Sequence, residues 1–304
     1  MHINMIHINN KIVITGCGGM LGEAVYREFK NISDVYASDI DCNESWLDFL
    51  DVSLEQDVID YLEKIKPDYI IHLAAKTDME YCERNSDDAY FTNRDGVSYI
   101  VKYANKYSIP LVYISTAGIF DGKKDFYTEN DRPNPLSIYG KSKYEGEIEA
   151  GKAYKSIIIR AGWMMGGGPK KDKKFVNKII KQINTGAQKL NVVNDKFGTP
   201  CYTYNLAKSI YFLLNNEHYG IYHGTCDGDC SRYNFAIALV EYLGLKDKIY
   251  IEEVSSDFFK DSYFAPRPYS EKLINIKLKK IAPHLTKDWK IYLKEYTKRF
   301  NWIL

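Results

Sequence analysis

No stretch of this 304-residue sequence stays apolar for the roughly 18 residues that a helical membrane span requires. Charge of one sign is missing too. Lys and Arg total 41 against 40 for Asp and Glu, a net charge of +1, so no bulk field draws the chain to nucleic acid or to an anionic membrane. The first residues, MHINMIHINN, lack the basic start and cleavage site of a secretory leader. Cysteine is sparse: Cys17, Cys42, Cys82, Cys201, Cys226 and Cys230, with no CxxC pair. Cys226 and Cys230 with His223 nearby lack the fourth ligand and second tight pair that zinc wants. The expectation is reduced thiols, no metal and a cytoplasmic protein. Internal repeats and low-complexity segments are also lacking.

What is present is a folded, aromatic-rich chain with 26 tyrosines. Short apolar runs alternate with helical segments, as in a doubly wound parallel α/β sheet. Strands are expected at 11–15, 35–38, 69–73, 111–115 and 156–160. A helix follows the first strand to about Lys30. Ser53 with Gln56 has the spacing of a capping box opening a helix that stops before Pro67. A long helix is expected over 87–107. Beyond Arg160 come a glycine-rich loop, 166–169, and the lysine-rich run KKDKK, read as a solvated surface. Helices at 175–185, 205–215 and 235–243 and strands at 190–193 and 220–223 complete the reading. The expected division is a dinucleotide-binding Rossmann domain over 1–165, with 190–223 returning to it, and a substrate lobe made of 166–189 and 224–304.

Thr15–Gly22 reads TGCGGMLG, directly after a strand and directly before a helix. Glycines there let the chain turn sharply and let a pyrophosphate approach backbone amides, and the helix N-terminus offers that anion a positive dipole. Gly16, Gly19, Met20, Leu21 and Gly22 are therefore expected to hold a dinucleotide. Asp39 closes the second strand, 23 residues after Gly16. An acid there accepts the hydroxyls of an adenosine ribose and repels a 2′-phosphate, which favours NAD(H) over NADP(H). Asp51 and Val52 are expected near the adenine.

Tyr139 and Lys143 stand four apart, on one face of a helix. A free phenol is a poor acid at neutral pH. A nearby ammonium favours the phenolate, so Lys143 is expected to lower the Tyr139 pKa and to hold the nicotinamide ribose. Ser115 and Thr116 end a strand 23 residues before Tyr139, where ligands of a parallel sheet gather. A hydroxyl there can bond the carbonyl oxygen that Tyr139 protonates.

With these features the chain resembles the extended short-chain dehydrogenase/reductase family, and within it the dTDP-4-dehydrorhamnose reductase group. The likeness spans nearly the whole chain: TGCGGMLG, HLAAKTDMEYCE, STAGIFDG, NPLSIYGKSKYEGE, RAGWMM, FGTPCYTYNLA, GIYHG and APRPYSEKL. It implies a Rossmann-type domain, a small substrate lobe and NAD(P)H-dependent reduction of a 4-keto-6-deoxy nucleotide sugar, as in rhamnose and polysaccharide biosynthesis. It assigns catalysis to Thr116, Tyr139 and Lys143, cofactor contact to Ala74, Ala75 and Lys76, and substrate contact to Thr116, Trp163 and Arg267. A homodimer is implied by analogy alone.

One departure stands out. The family carries Asp-Tyr-Val after the threonine; this chain has Ala117, Gly118 and Ile119. Related dehydratases place Asp-Glu there, and Ala-Gly cannot transfer the protons that dehydration needs. Two rival readings stay open: a combined epimerase and reductase, with Cys82, Glu80 or His72 as an added base, and a non-catalytic dinucleotide-binding regulatory subunit like that of methionine adenosyltransferase.

Overall fold

The computed structural model describes residues 6–7 and 9–302. Residues 1–5, on which most of the reading of a missing leader rests, lie outside them. No helix among the described residues is long and apolar enough to cross a membrane.

The chain opens with β1 (Lys11–Thr15), α1 (Met20–Phe29), β2 (Asp34–Asp39), β3 (Asp48–Phe49), α2 (Glu55–Ile65) and β4 (Tyr69–His72). The short helices α3 (Met79–Arg84) and α4 (Ser86–Tyr90) follow. A π-helical turn, Phe91–Asp95, then leads into α5 (Gly96–Tyr107), β5 (Leu111–Thr116), α6 (Ile138–Ala150), β6 (Ser156–Ala161) and β7 (Trp163–Met165). Next come α7 (Gly168–Lys171), α8 (Phe175–Asn184), β8 (Lys189–Val193), β9 (Phe197–Gly198), β10 (Pro200–Tyr202), α9 (Thr203–Asn215) and β11 (Gly220–Gly224). The chain ends with β12 (Cys230–Ser231), α10 (Arg232–Tyr242), β13 (Tyr250–Val254), β14 (Ser270–Glu271), α11 (Ile276–Ile281) and α12 (Trp289–Arg299).

Seven parallel strands form the main sheet in the order β11-β6-β5-β4-β1-β2-β3. The order reverses beside β1, which opens a crevice at the carboxyl ends of β1 and β4. Alternation along each strand feeds both faces. Ile12 and Ile14 pack under α1 and α9 with Phe29 and Ile210, while Val13 joins Leu62, Ile100 and Leu111 under α2 and α5. All of these side chains are buried, each contributing on the order of 2 kcal/mol. A separate core lies in the C-terminal lobe around Tyr202, Leu239, Trp289 and Tyr296. There β8 pairs with β13, away from the main sheet, whereas α9 and β11 return to it.

Three local expectations change. The Ser53–Gln56 capping box does not form: α2 starts at Glu55, the Ser53 hydroxyl is drawn to Asp51 at 2.6 Å, and Gln56 reaches forward to Asp60. The helix expected over 87–107 is interrupted by the π-helical turn. The lysine run is only partly solvated. Lys170 is exposed, but Lys171 is buried, with its ammonium over the Trp46 ring and 3.5 Å from Glu44.

Helix α6 is locked to the sheet by a buried ion pair. Arg160 of β6 donates to both oxygens of Glu147, at 2.6 Å for the shortest contact, and the Ser115 hydroxyl donates to the same carboxylate at 2.6 Å. Arg160 and Glu147 are 3 % and 4 % exposed. Removing one partner strands a charge in the interior. Arg160→Met is expected to destabilise the protein by about 3–5 kcal/mol in chemical denaturation, and the double variant Arg160→Met/Glu147→Leu to recover most of that loss.

Candidate active site

The loop after β1 has the shape its glycines imply. Gly16 sits at φ 69°, and a Cβ there would lie 2.3 Å from the amide nitrogen of Ala74. A Cβ on Gly22 would lie 2.2 Å from the Cys17 carbonyl oxygen, so α1 approaches the loop as only glycine permits. Gly19 begins α1 with no side chain capping it, and Met20 and Leu21 form its first turn. This cradle, with uncapped amides at a helix start, fits the pyrophosphate of a dinucleotide. Asp39 stands at its rim. Its Oδ2 accepts the Gly18 N–H at 2.8 Å and its Oδ1 the Asp41 N–H at 2.9 Å.

The opposite wall is the segment after β4. Ala74 closes against Gly16, and Lys76 is gripped by a residue the sequence reading missed. Asn93, on the π-helical turn, accepts the Lys76 N–H at 2.9 Å and donates to the Lys76 carbonyl at 3.0 Å and to the Ser142 hydroxyl at 3.0 Å. The extra residue of a π-turn re-aims a side chain from a helix, and no local sequence pattern announces it. The Lys76 ammonium pairs with Asp88 at 3.0 Å. Asp51 turns its carboxylate to Ser53, and Val52 packs its carbonyl against Gly96.

Thr116 ends β5, and Tyr139 lies in the first turn of α6. That turn is held by Ser137, whose hydroxyl accepts the Gly140 N–H at 3.1 Å, and by Glu83, which accepts the Ile138 N–H at 2.8 Å. The Thr116 hydroxyl and the Tyr139 ring converge over Gly118, where a built Cβ would lie 3.5 Å from each. Ala117 and Gly118 follow in a tight turn, where Thr116 accepts the Gly118 N–H at 3.1 Å.

The expected effect of Lys143 on Tyr139 is corrected. The two share a helix face, but Lys143 is not among the groups that shift the phenol. Lys143 runs down toward the sheet, 4 % exposed, and sets its ammonium 4.2 Å from the centroid of the Tyr113 ring. Burial pushes the Tyr139 phenol up to about 12, countered in part by Thr116 and reinforced by the charge of Glu271. Burial pushes Lys143 down to about 7, with Glu147 opposing.

Trp163 and Arg267 stand in the lobe. The Trp163 indole donates to Glu271 at 2.7 Å, and Arg232 lies over its ring at 3.5 Å from the centroid. Arg267 pairs with Glu80 at 2.7 Å across the two lobes. The nominated extra bases are poorly placed to act. The His72 ring is buried in the sheet with Nδ1 against Thr15 at 2.6 Å, and burial lowers its pKa to about 3. Burial raises Cys82 to about 11, and Glu80 is committed to Arg267.

A seven-stranded Rossmann-type sheet, a glycine cradle after its first strand, Thr116 at the end of β5 and the Tyr139–Lys143 pair on α6 define a short-chain dehydrogenase/reductase of the extended type. More narrowly, the chain belongs to the RmlD substrate binding domain family, whose model matches residues 10–302. It is 32% identical over 289 residues to the spore coat polysaccharide biosynthesis protein SpsK of Bacillus subtilis (strain 168), covering 94% of this chain and 96% of that one. It is 31% identical over 242 residues to a dTDP-4-dehydrorhamnose reductase of Aggregatibacter actinomycetemcomitans, covering 76% and 78%. The structure resembles that of dTDP-4-dehydrorhamnose reductase from Bacillus anthracis str. Ames in complex with NADP, with a TM-score of 0.87, 29% identity, and coverage of 96% of this chain and 100% of the other.

The placement of Lys143 yields a pH dependence. An unfolded lysine has a pKa near 10.5, and the folded one is lowered to about 7. Between those values the unfolded state binds the extra proton, so the stability contribution of this group rises with pH. Below pH 7 both states are charged and its contribution is flat. The cofactor-free protein should gain about 1 kcal/mol per pH unit from pH 7.5 to 9 relative to Lys143→Met. Parallel unfolding curves for the two proteins across that range would contradict the assignment.

Proposed function

We propose that this chain is an NAD(P)H-dependent reductase of a 4-keto-6-deoxy nucleotide sugar. The observation that carries the reading is the convergence of the Thr116 hydroxyl and the Tyr139 ring, each 3.5 Å from a Cβ built on Gly118, together with a cradle that only a Gly16 without a side chain can form. Family membership and the names of the relatives support the substrate class.

When bound, the nicotinamide supplies the hydride. The residues of the chain do the rest. Gly16, Gly19, Met20, Leu21 and Gly22 offer amides to the pyrophosphate, and Asp39 meets the adenosine ribose. Thr116 holds the ketone oxygen, and Tyr139 releases its phenolic proton to that oxygen as negative charge develops. The high phenol pKa has a direct use here: the proton stays on Oη until the alkoxide forms. Lys143 would hold the nicotinamide ribose. Trp163 supports the sugar side of the site by holding Glu271 through its indole N–H. The arrangement disfavours an epimerase, because Cys82, Glu80 and His72 are each engaged or shielded. It disfavours a purely regulatory subunit, because the proton-donating set is complete.

Asp39 favours NAD(H). Two loop amides fix its carboxylate at the rim of the cradle, where its charge opposes a 2′-phosphate. The kcat/KM with NADH should therefore exceed that with NADPH, and the opposite ratio would reverse this preference.

Tyr139→Phe removes the proton and leaves the fold and cradle intact. It should lower kcat by about 10²–10⁴-fold with cofactor affinity unchanged. Near-wild-type turnover by the folded, cofactor-bound variant would show that Tyr139 is not the acid.

A further inference from the structure

Glu271 is absent from the sequence-based reading, yet it stands beside the reacting pair. It comes from β14, 108 residues from Trp163, and the Trp163 indole pins one of its oxygens, Oε2, at 2.7 Å. Its other oxygen, Oε1, has no hydrogen-bond donor among the described residues. The next residue does not neutralise it, because the Lys272 ammonium is turned to Asp125 and Asp229. Arg232 lies on the Trp163 ring rather than on the carboxylate, and forms no ion pair among the described residues. Glu271 is thus a half-buried carboxylate that makes no ion pair among the described residues, with the Arg232 charge acting on it only from across the Trp163 ring.

The free oxygen stands over Gly118, beside Thr116 and Tyr139. A Cβ built on Gly118 would lie 3.7 Å from Glu271 Oε1, 3.5 Å from Thr116 Oγ1 and 3.5 Å from the Tyr139 ring. Nothing lies closer, so a Cβ there would meet only ordinary van der Waals contacts, and this chain has none. One small space is therefore bounded by the residue that holds the ketone oxygen, by the proton donor, and by a carboxylate lacking a donor. A half-buried acceptor of this kind gains most from a donor that arrives with the ligand.

We propose that Glu271 Oε1, beside Thr116 and Tyr139 over Gly118, accepts a hydrogen bond from the sugar hydroxyl on the carbon next to the reacting ketone, and that Glu271 thereby selects substrates bearing that hydroxyl. This rests on the reading of the site as a keto-sugar reductase. The sugar ring spans Thr116 and Glu271 in one pose: ketone oxygen on the hydroxyl pair, neighbouring hydroxyl on the acid. A site built around a hydrogen-bonding group discriminates strongly against an analogue lacking it, because the acceptor is then left unpaired.

The test compares a 4-keto-6-deoxy nucleotide hexose with its analogue deoxygenated at the carbon next to the ketone, using the full chain and following loss of reduced nicotinamide. Wild type should favour the hydroxylated substrate by about tenfold or more in kcat/KM. Glu271→Ala should bring the ratio to within about threefold of unity. Glu271→Gln, whose amide oxygen still accepts the Trp163 N–H, should fall between the two with the fold retained. A ratio unchanged in both variants, or an equal loss on both substrates, overturns the role of Glu271 and leaves the reductase reading standing. Wild type that binds cofactor but reduces neither compound overturns the reductase reading, and this inference with it.

Discussion

The buried Glu147–Arg160 pair sets where the chemistry happens. Helix α6 carries Tyr139 near its start, Lys143 one turn on and Glu147 one turn further, so anchoring the last fixes the other two. Arg160 reaches Glu147 from β6, and Ser115 reaches it from β5, the strand that ends in Thr116. One carboxylate therefore ties the proton donor's helix to the strand bearing its partner. A pair sealed from water is weak evidence for stability, since desolvation offsets much of its attraction. Its value here is positional: two strands and one helix must register before the charges meet. Ser137 and Glu83 then fix the first turn from the other end.

Below that anchor, the site separates two titrating groups that the sequence places together. Burial opposes charge on both, which raises a phenol and lowers an ammonium. Tyr139 stays protonated beside Thr116, while Lys143 sits over the Tyr113 ring with His72 beneath it. The charge of Lys143 and the burial of His72 both disfavour an imidazolium, so the imidazole stays neutral. A reductase needs its acid loaded before hydride arrives, and this polarity supplies that condition without an ion pair at the phenol.

Much of this arrangement is legible in the sequence, for a physical reason. Gly16, Asp39, Thr116 and Tyr139 lie at strand ends or helix starts, so a short period and a turn residue locate them. Asn93, Arg232 and Glu271 escape because nothing local marks them. Asn93 acts through a π-turn inside a helix whose apolar period is unbroken. Glu271 acts through an indole 108 residues away. Competition explains the other differences. Asp51 takes the Ser53 hydroxyl that a capping box would use, and Trp46 draws Lys171 out of the solvent that its lysine-rich neighbourhood implies.

The substitution of Ala117 and Gly118 for bulkier residues acquires meaning only in three dimensions. In sequence it reads as a loss, since it removes groups able to transfer protons or line a pocket. In the structure the vacated volume is bounded by Thr116, Tyr139 and Glu271. With glycine at position 118, a carboxylate oxygen from the far lobe stands beside Thr116 and Tyr139. Part of the recognition surface is thereby shifted from the β5 turn to β14, and from a neutral wall to a charged acceptor. The chemistry stays with the sheet, where strand ends and α6 hold it rigidly. The lobe meets the sheet body through the ion pairs Arg267–Glu80 and Lys171–Glu44, at residues other than Thr116 and Tyr139.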